Sequence, residues 1–127
     1  MPRNRKPTSS EPKRRWRDYR TAQGHRPVKK FLGSLSDEDA AGVIAAMKMV
    51  AKDGTRAAKH VESEIYEVKA EEDRQTFRVL FAQEGERDQV LLALEAFSKK
   101  QQRLPRETIE LAKRRLRDWR ARGRSAR

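Results

Sequence analysis

The apolar residues of this chain keep a helical period in one stretch and a strand period in the next. Val28, Phe31, Leu32 and Leu35 fall at i, i+3, i+4 and i+7, one face of a helix. Pro27 suits the first turn of that helix, and Gly33-Ser34 ends it soon after. Ser36, followed by Asp37, Glu38 and Asp39, marks a second start. The hydroxyl caps free N–H groups, and the acids sit at the positive end of the helix dipole. Ala40, Val43, Ile44, Met47 and Val50 carry the period on to Asp53-Gly54, where glycine suits a left-handed C-terminal position. Residues 27–53 therefore predict a helical hairpin, and residues 55–64 a connection without a clear period.

From residue 65 the period falls to two. Ile65–Ala70, Thr76–Ala82 and Gln89–Phe97 read as strands, and their short polar links predict an antiparallel meander. Arg15–Arg20 reads as an earlier strand. Strict alternation puts Tyr66, Val68, Phe77, Val79, Phe81, Val90, Leu92, Leu94 and Ala96 on one face, under the hairpin. It puts Glu67, Lys69, Arg78 and Glu95 on the other, among Ile65, Leu80, Leu91, Ala93 and Phe97. Arg78 then lies mid-strand between two core residues. A guanidinium there is costly to bury unless it is paired. Either Glu67 or Glu95 pairs with it, or that face is open and functional.

A last helix is predicted from Pro105 to about Arg122, with Ile109, Ala112, Leu116 and Trp119 on a narrow apolar seam. Lys113, Arg114, Arg115, Arg117 and Arg120 cover most of its remaining surface. The seam needs a docking surface, because an isolated helix of this kind is marginal in water. The expected fold class is α+β: a helical hairpin on a small antiparallel sheet in the order β-α-α-β-β-β, followed by a basic helix.

Charge sharpens the picture. The chain has 127 residues, with a formal net charge of +12. Residues 1–20 carry +6, residues 21–96 carry −3, and residues 97–127 carry +9. A nearly neutral centre between cationic flanks favours a polyanionic partner. Residues 1–13 and 123–127 are expected to be disordered basic tails around one domain at 14–122. There is no cysteine, which suits a reducing cytoplasm and excludes disulfides and thiolate metal sites. No apolar stretch has the length of a signal peptide core or a membrane span. The last strand ends in Phe97, Ser98, Lys99 and Lys100, a ring and two ammonium groups suited to bases and phosphates.

The words Gly24–Leu32 (GHRPVKKFL), Ile65–Lys69 (IYEVK), Phe77–Phe81 (FRVLF), Leu94–Lys100 (LEAFSKK) and Pro105–Arg114 (PRETIELAKR) occur in a telling order. By these words the chain resembles the RelE/ParE superfamily of toxins from bacterial toxin–antitoxin modules. It is most similar to the HigB-type branch and its phage-derived relatives. The resemblance covers roughly residues 15–120.

That resemblance implies an endoribonuclease that cuts mRNA without a metal or other cofactor, in many members on the translating ribosome. The 2′-hydroxyl attacks its own phosphodiester, so cations must meet the developing charge and aromatics must splay the bases. By position, Arg78 matches the family's transition-state arginine, Lys69 a basic residue of the preceding strand, and Lys99 and Lys100 the basic pair ending the last strand. Glu67 stands where relatives often carry a further basic residue, and it is the candidate base. Many relatives have a Tyr or His on the C-terminal side of the site; none occurs here after Phe97. The expected RNA contacts are Phe97, Arg74, Arg103, Arg114 and Arg115. The implied partners are a cognate antitoxin of helix-turn-helix type, mRNA and the ribosome, with no membrane. Two alternatives stand beside this reading: a non-enzymatic ParE-like toxin acting on DNA gyrase, and a non-toxic nucleic-acid-binding accessory protein.

Overall fold

The computed structural model describes residues 14–72, 75–98 and 103–125. Strand β1 (Arg15–Asp18) leads into α1 (Pro27–Gly33) and α2 (Asp37–Asp53). The strands β2 (Lys59–Glu62), β3 (Ile65–Glu72), β4 (Gln75–Glu84) and β5 (Val90–Ser98) follow, and α3 (Arg106–Ser125) closes the chain. The five strands form one sheet in the order β1-β5-β4-β3-β2.

The caps behave as their chemistry dictates. Ser36 accepts a hydrogen bond from the Asp39 backbone N–H at 3.1 Å, opening α2. Gly54 closes it at φ +79°, a conformation that side chains rarely adopt. The Arg14 guanidinium donates to the Ala51 and Lys52 carbonyls, each at 3.2 Å, so a cation meets the negative end of that helix.

The sheet is mixed rather than antiparallel throughout. β2–β5 form the expected meander, but β1 pairs with β5 in parallel. The α1–α2 hairpin is the crossing segment that turns the chain, and β1 takes the free edge of β5. Trp16 anchors that edge: its indole donates to the Met47 carbonyl at 2.7 Å and its ring meets Phe81 edge-on at 5.0 Å. The segment expected to be a connection contains β2, which pairs with β3.

Two cores result, one on each face. Under α1 and α2 lie Val28, Val43, Val50, Val68, Phe77, Val79 and Phe81, with Leu91, Ala93 and Ala96. Under α3 lie Tyr19, Ile65, Leu80, Ala82, Leu92 and Leu94, with Ala112 and Leu116. Leu92 and Leu94 are thus on the face opposite the one that strict alternation assigns, while Leu91 and Ala93 have moved to the hairpin side. A β-bulge is the cause. Leu80 pairs with Glu95, but Phe81 pairs with Ala93, so Leu94 is the extra residue. One inserted residue reverses the facing of everything before it in the strand.

The helix α3 runs three residues past the expected end at Arg122. The expected tail over residues 1–13 lies outside the described residues; of the one expected over 123–127, residues 123–125 continue α3 and 126–127 lie outside the described residues.

Candidate functional site

α3 packs on Ile65, Leu80, Leu92 and Leu94 of its face of the sheet. Beyond the start of the helix, a row of side chains crosses three strands: Lys69 on β3, Arg78 on β4 and Phe97 on β5 are direct cross-strand neighbours. The next row toward the helix is Glu67, Leu80 and Glu95.

These residues differ sharply in access. Lys69 is exposed and Phe97 is half-buried, packed against the α3-side core. Arg78 and Glu67 are each only 2% exposed, and Arg78 donates to Glu67 Oε2 at 2.5 Å. Of the alternatives open in the sequence, the ion pair to Glu67 has formed, and an open guanidinium beside Lys69 has not. Arg78 is withdrawn from solvent; of the pair, it is Glu67 that borders an opening.

That opening is a cavity of about 560 Å³ between β2 and the start of α3. Glu67 contributes to its wall, with Val61, Leu104 and Ile109 supplying apolar surface. Lys59, Arg103 and Arg106 bring three cations to it. His60 also borders it, but the imidazole meets the Tyr66 ring edge-on at 5.2 Å and its Nε2 lies 2.7 Å from the Ser63 carbonyl. Among the described residues, no three His, Asp or Glu side chains gather so as to hold a metal ion.

The cations of α3 are mostly committed to the body. Arg106 and Lys113 both bind Glu62, and Arg106 also binds Glu110 at 2.9 Å. Hydrogen bonds from Arg106, then from Lys113, hold the Glu62 carboxyl down at about 2. Arg120 joins Glu84 at 2.5 Å and Glu64 at 2.7 Å, and these carboxylates raise its already high pKa. Tyr19 donates to Asp118 at 2.6 Å beneath the Arg115 and Arg122 guanidiniums, and burial followed by that carboxylate raises its phenol.

Arg115, one of the expected RNA contacts, is engaged within the fold. Its Nη1 donates to the Leu94 carbonyl at 2.8 Å and to Glu95 at 3.1 Å. Leu94 is the bulged residue, and Arg115 ties its carbonyl to α3. Arg114 is exposed and makes no ion pair among the described residues; Arg103 is exposed at the cavity. The structure thus brings Glu67, Lys69, Arg78 and Phe97 together and sets Arg103 near Glu67. Lys99, Lys100 and Arg74 lie outside the described residues. Lys59 and Arg106 carry no local signal of their place at this cavity: β2 has a single apolar residue and no period to reveal it, and Arg106 is one of many basic residues on α3.

The same chain has recognisable kin. The family model described as phage derived protein Gp49-like matches residues 30–117. Two relatives, both named "Probable endoribonuclease HigB1", come from Mycobacterium tuberculosis strains CDC 1551 / Oshkosh and ATCC 25618 / H37Rv. Each is 34% identical over 107 residues, covering 82% of this chain and 83% of the relative. Among the described residues, no helix is long and apolar enough to cross a membrane.

Proposed function

The chain belongs to the Gp49-like family of phage-derived proteins, of RelE/HigB type, and from that membership we propose that it is a toxin of a toxin–antitoxin module acting as an endoribonuclease on mRNA. The observation that carries the reading is the likeness to the HigB1 proteins across more than four-fifths of both chains. The row Lys69–Arg78–Phe97 beside a cation-rimmed cavity supports it with suitable chemistry.

In this reading the RNA crosses the uncovered part of the sheet. The ribose 2′-hydroxyl attacks the adjacent phosphorus, the 5′-oxygen leaves, and a 2′,3′-cyclic phosphate and a 5′-hydroxyl remain. Lys69 meets the charge that develops on the phosphoryl oxygens, and Lys99 and Lys100 are the further cations that the family resemblance assigns to this step. Phe97 offers a ring edge to an unstacked base. Arg78 is a positioning residue: it fixes the Glu67 carboxylate at the cavity wall. The toxin is held inactive in the cytoplasm by a helix-turn-helix antitoxin, and it works on free or ribosome-bound message.

The test is incubation of the purified, folded chain with RNA in chelator, alone and in a translating extract, followed by mapping of the ends. Cleavage leaving cyclic phosphates is expected; intact RNA under both conditions would overturn the proposal. The burial of Arg78 favours one competing reading, a ParE-like toxin that inhibits DNA gyrase. Gyrase inhibition without RNA cleavage would establish it instead.

A further inference from the structure

We propose that the cavity beside Glu67 is a subsite that receives an unstacked nucleobase and selects guanine. The inference takes its choice of occupant from the nuclease reading above and adds a substrate preference to it.

The cavity pairs a buried acceptor with apolar walls and a cationic rim. Glu67 Oε2 takes the Arg78 hydrogen bond, while Oε1 accepts none from any described residue. At 2% exposure, with Arg78 fixing it from behind, this carboxylate is already oriented before a ligand arrives. Val61, Leu104 and Ile109 supply apolar surface for the faces of a ring. Lys59 and Arg103 make no ion pair with a described residue, so both are free to meet a phosphate. The volume of about 560 Å³ lies within the range of sites that hold small ligands.

A carboxylate only accepts hydrogen bonds. The bases differ in what they can give it. Guanine presents two adjacent donors, N1–H and the N2 amino group, matched to the two carboxylate oxygens. Adenine and cytosine each set one amino donor beside a ring acceptor, which would face a carboxylate lone pair. Uracil flanks its single N–H with two carbonyls. Guanine is therefore the base whose Watson–Crick edge meets Glu67 without an opposing acceptor.

The test uses the full wild-type chain and short oligodeoxynucleotides, which lack the attacking hydroxyl and are not cut. Heptamers of thymidine with guanine, hypoxanthine or adenine at the centre are titrated by fluorescence anisotropy. Guanine should bind about tenfold or more tightly than adenine, with hypoxanthine, lacking the N2 amino group, in between. Lys59→Ala should weaken all three by a similar factor and preserve their ratio. Equal affinity across the three, or no binding, would overturn the subsite. RNA cutting without base dependence would leave the nuclease reading standing and remove this inference; guanine selectivity without cutting would do the reverse.

Discussion

Arg78 and Glu67 meet at 2.5 Å with both side chains almost wholly withdrawn from solvent. Two charges leave water at a cost that their attraction offsets only while both are present. Removing one partner strands the other, which typically costs about 3–5 kcal/mol, whereas replacing both with apolar residues is often neutral. Arg78→Met alone should therefore destabilise the fold by about that amount, and Arg78→Met with Glu67→Leu should recover most of the loss. Urea denaturation of the two variants checks this. Equal stability of single and double variants would show that the pair is not coupled.

This pair also shows where the sequence was legible. The alternation around Arg78 places it on one face with Glu67 and Lys69, and no tertiary knowledge is needed to see that a paired or open guanidinium must follow. The hairpin was legible because Pro27, Ser36 and Gly54 act locally, through fixed φ, a capping hydroxyl and a positive φ. The bulge at Leu94 was not. Val90–Ala96 is apolar at every position but Glu95, so nothing before Glu95 marks which face meets the hairpin and which meets α3. Such a run is compatible with either register, and packing of α3 on the second face decides it. The parallel β1 edge depends on where the hairpin returns the chain, which residues 15–18 do not encode alone.

Arg114 and Arg115 are neighbours with opposite duties. Arg115 binds the Leu94 carbonyl and Glu95, whereas Arg114 is exposed without an ion pair among the described residues. Arg115→Ala should destabilise the chain by about 1–3 kcal/mol, because it leaves a bulged carbonyl without its donor. Arg114→Ala should leave stability within about 0.5 kcal/mol. If Arg114 meets a phosphate, its loss lowers the slope of log affinity for single-stranded RNA against log salt by about 0.7. Thermal melts and salt titrations of both variants separate the two effects. A larger salt-slope change for Arg115→Ala would invert the assignment.

Glu62 ties β2 to α3 through Arg106 and Lys113, and its carboxyl is held at about 2 from an ordinary value of 4.5. A depressed carboxyl contributes its stabilisation fully above the unfolded value and loses it as pH falls through the folded one. The contribution is thus complete at neutral pH, declines below about 4.5 and is gone below about 2. Glu62→Gln should be less stable than wild type at neutral pH, and the difference should shrink across that window. Because these groups stand near solvent, added salt should shrink it as well. Denaturation midpoints taken from neutral pH down to 2 read both trends; a gap that stays constant with pH would assign the effect to something other than this carboxylate.

Lys69 allows catalysis to be separated from folding. It is exposed and lies across from Arg78, while Glu67, two residues earlier, carries the buried pair. Nothing in the core depends on its ammonium group, so Lys69→Ala should change stability by no more than about 0.5 kcal/mol. If that group meets charge developing on the scissile phosphate, its contribution is larger in the transition state than in the bound substrate. Cleavage should then fall by about 10²–10³ in kcat, the scale of losing one such donor, with a smaller change in KM. Lys69→Arg keeps the charge and should retain more activity than Lys69→Ala, short of the parent because the guanidinium is planar and differently placed. Single-turnover cleavage of an end-labelled RNA, run beside a melt of each variant, measures both quantities. A Lys69→Ala chain that melts like wild type and cuts at an undiminished rate would move the phosphate site away from this row of the sheet, toward the cavity rim at Lys59 and Arg103.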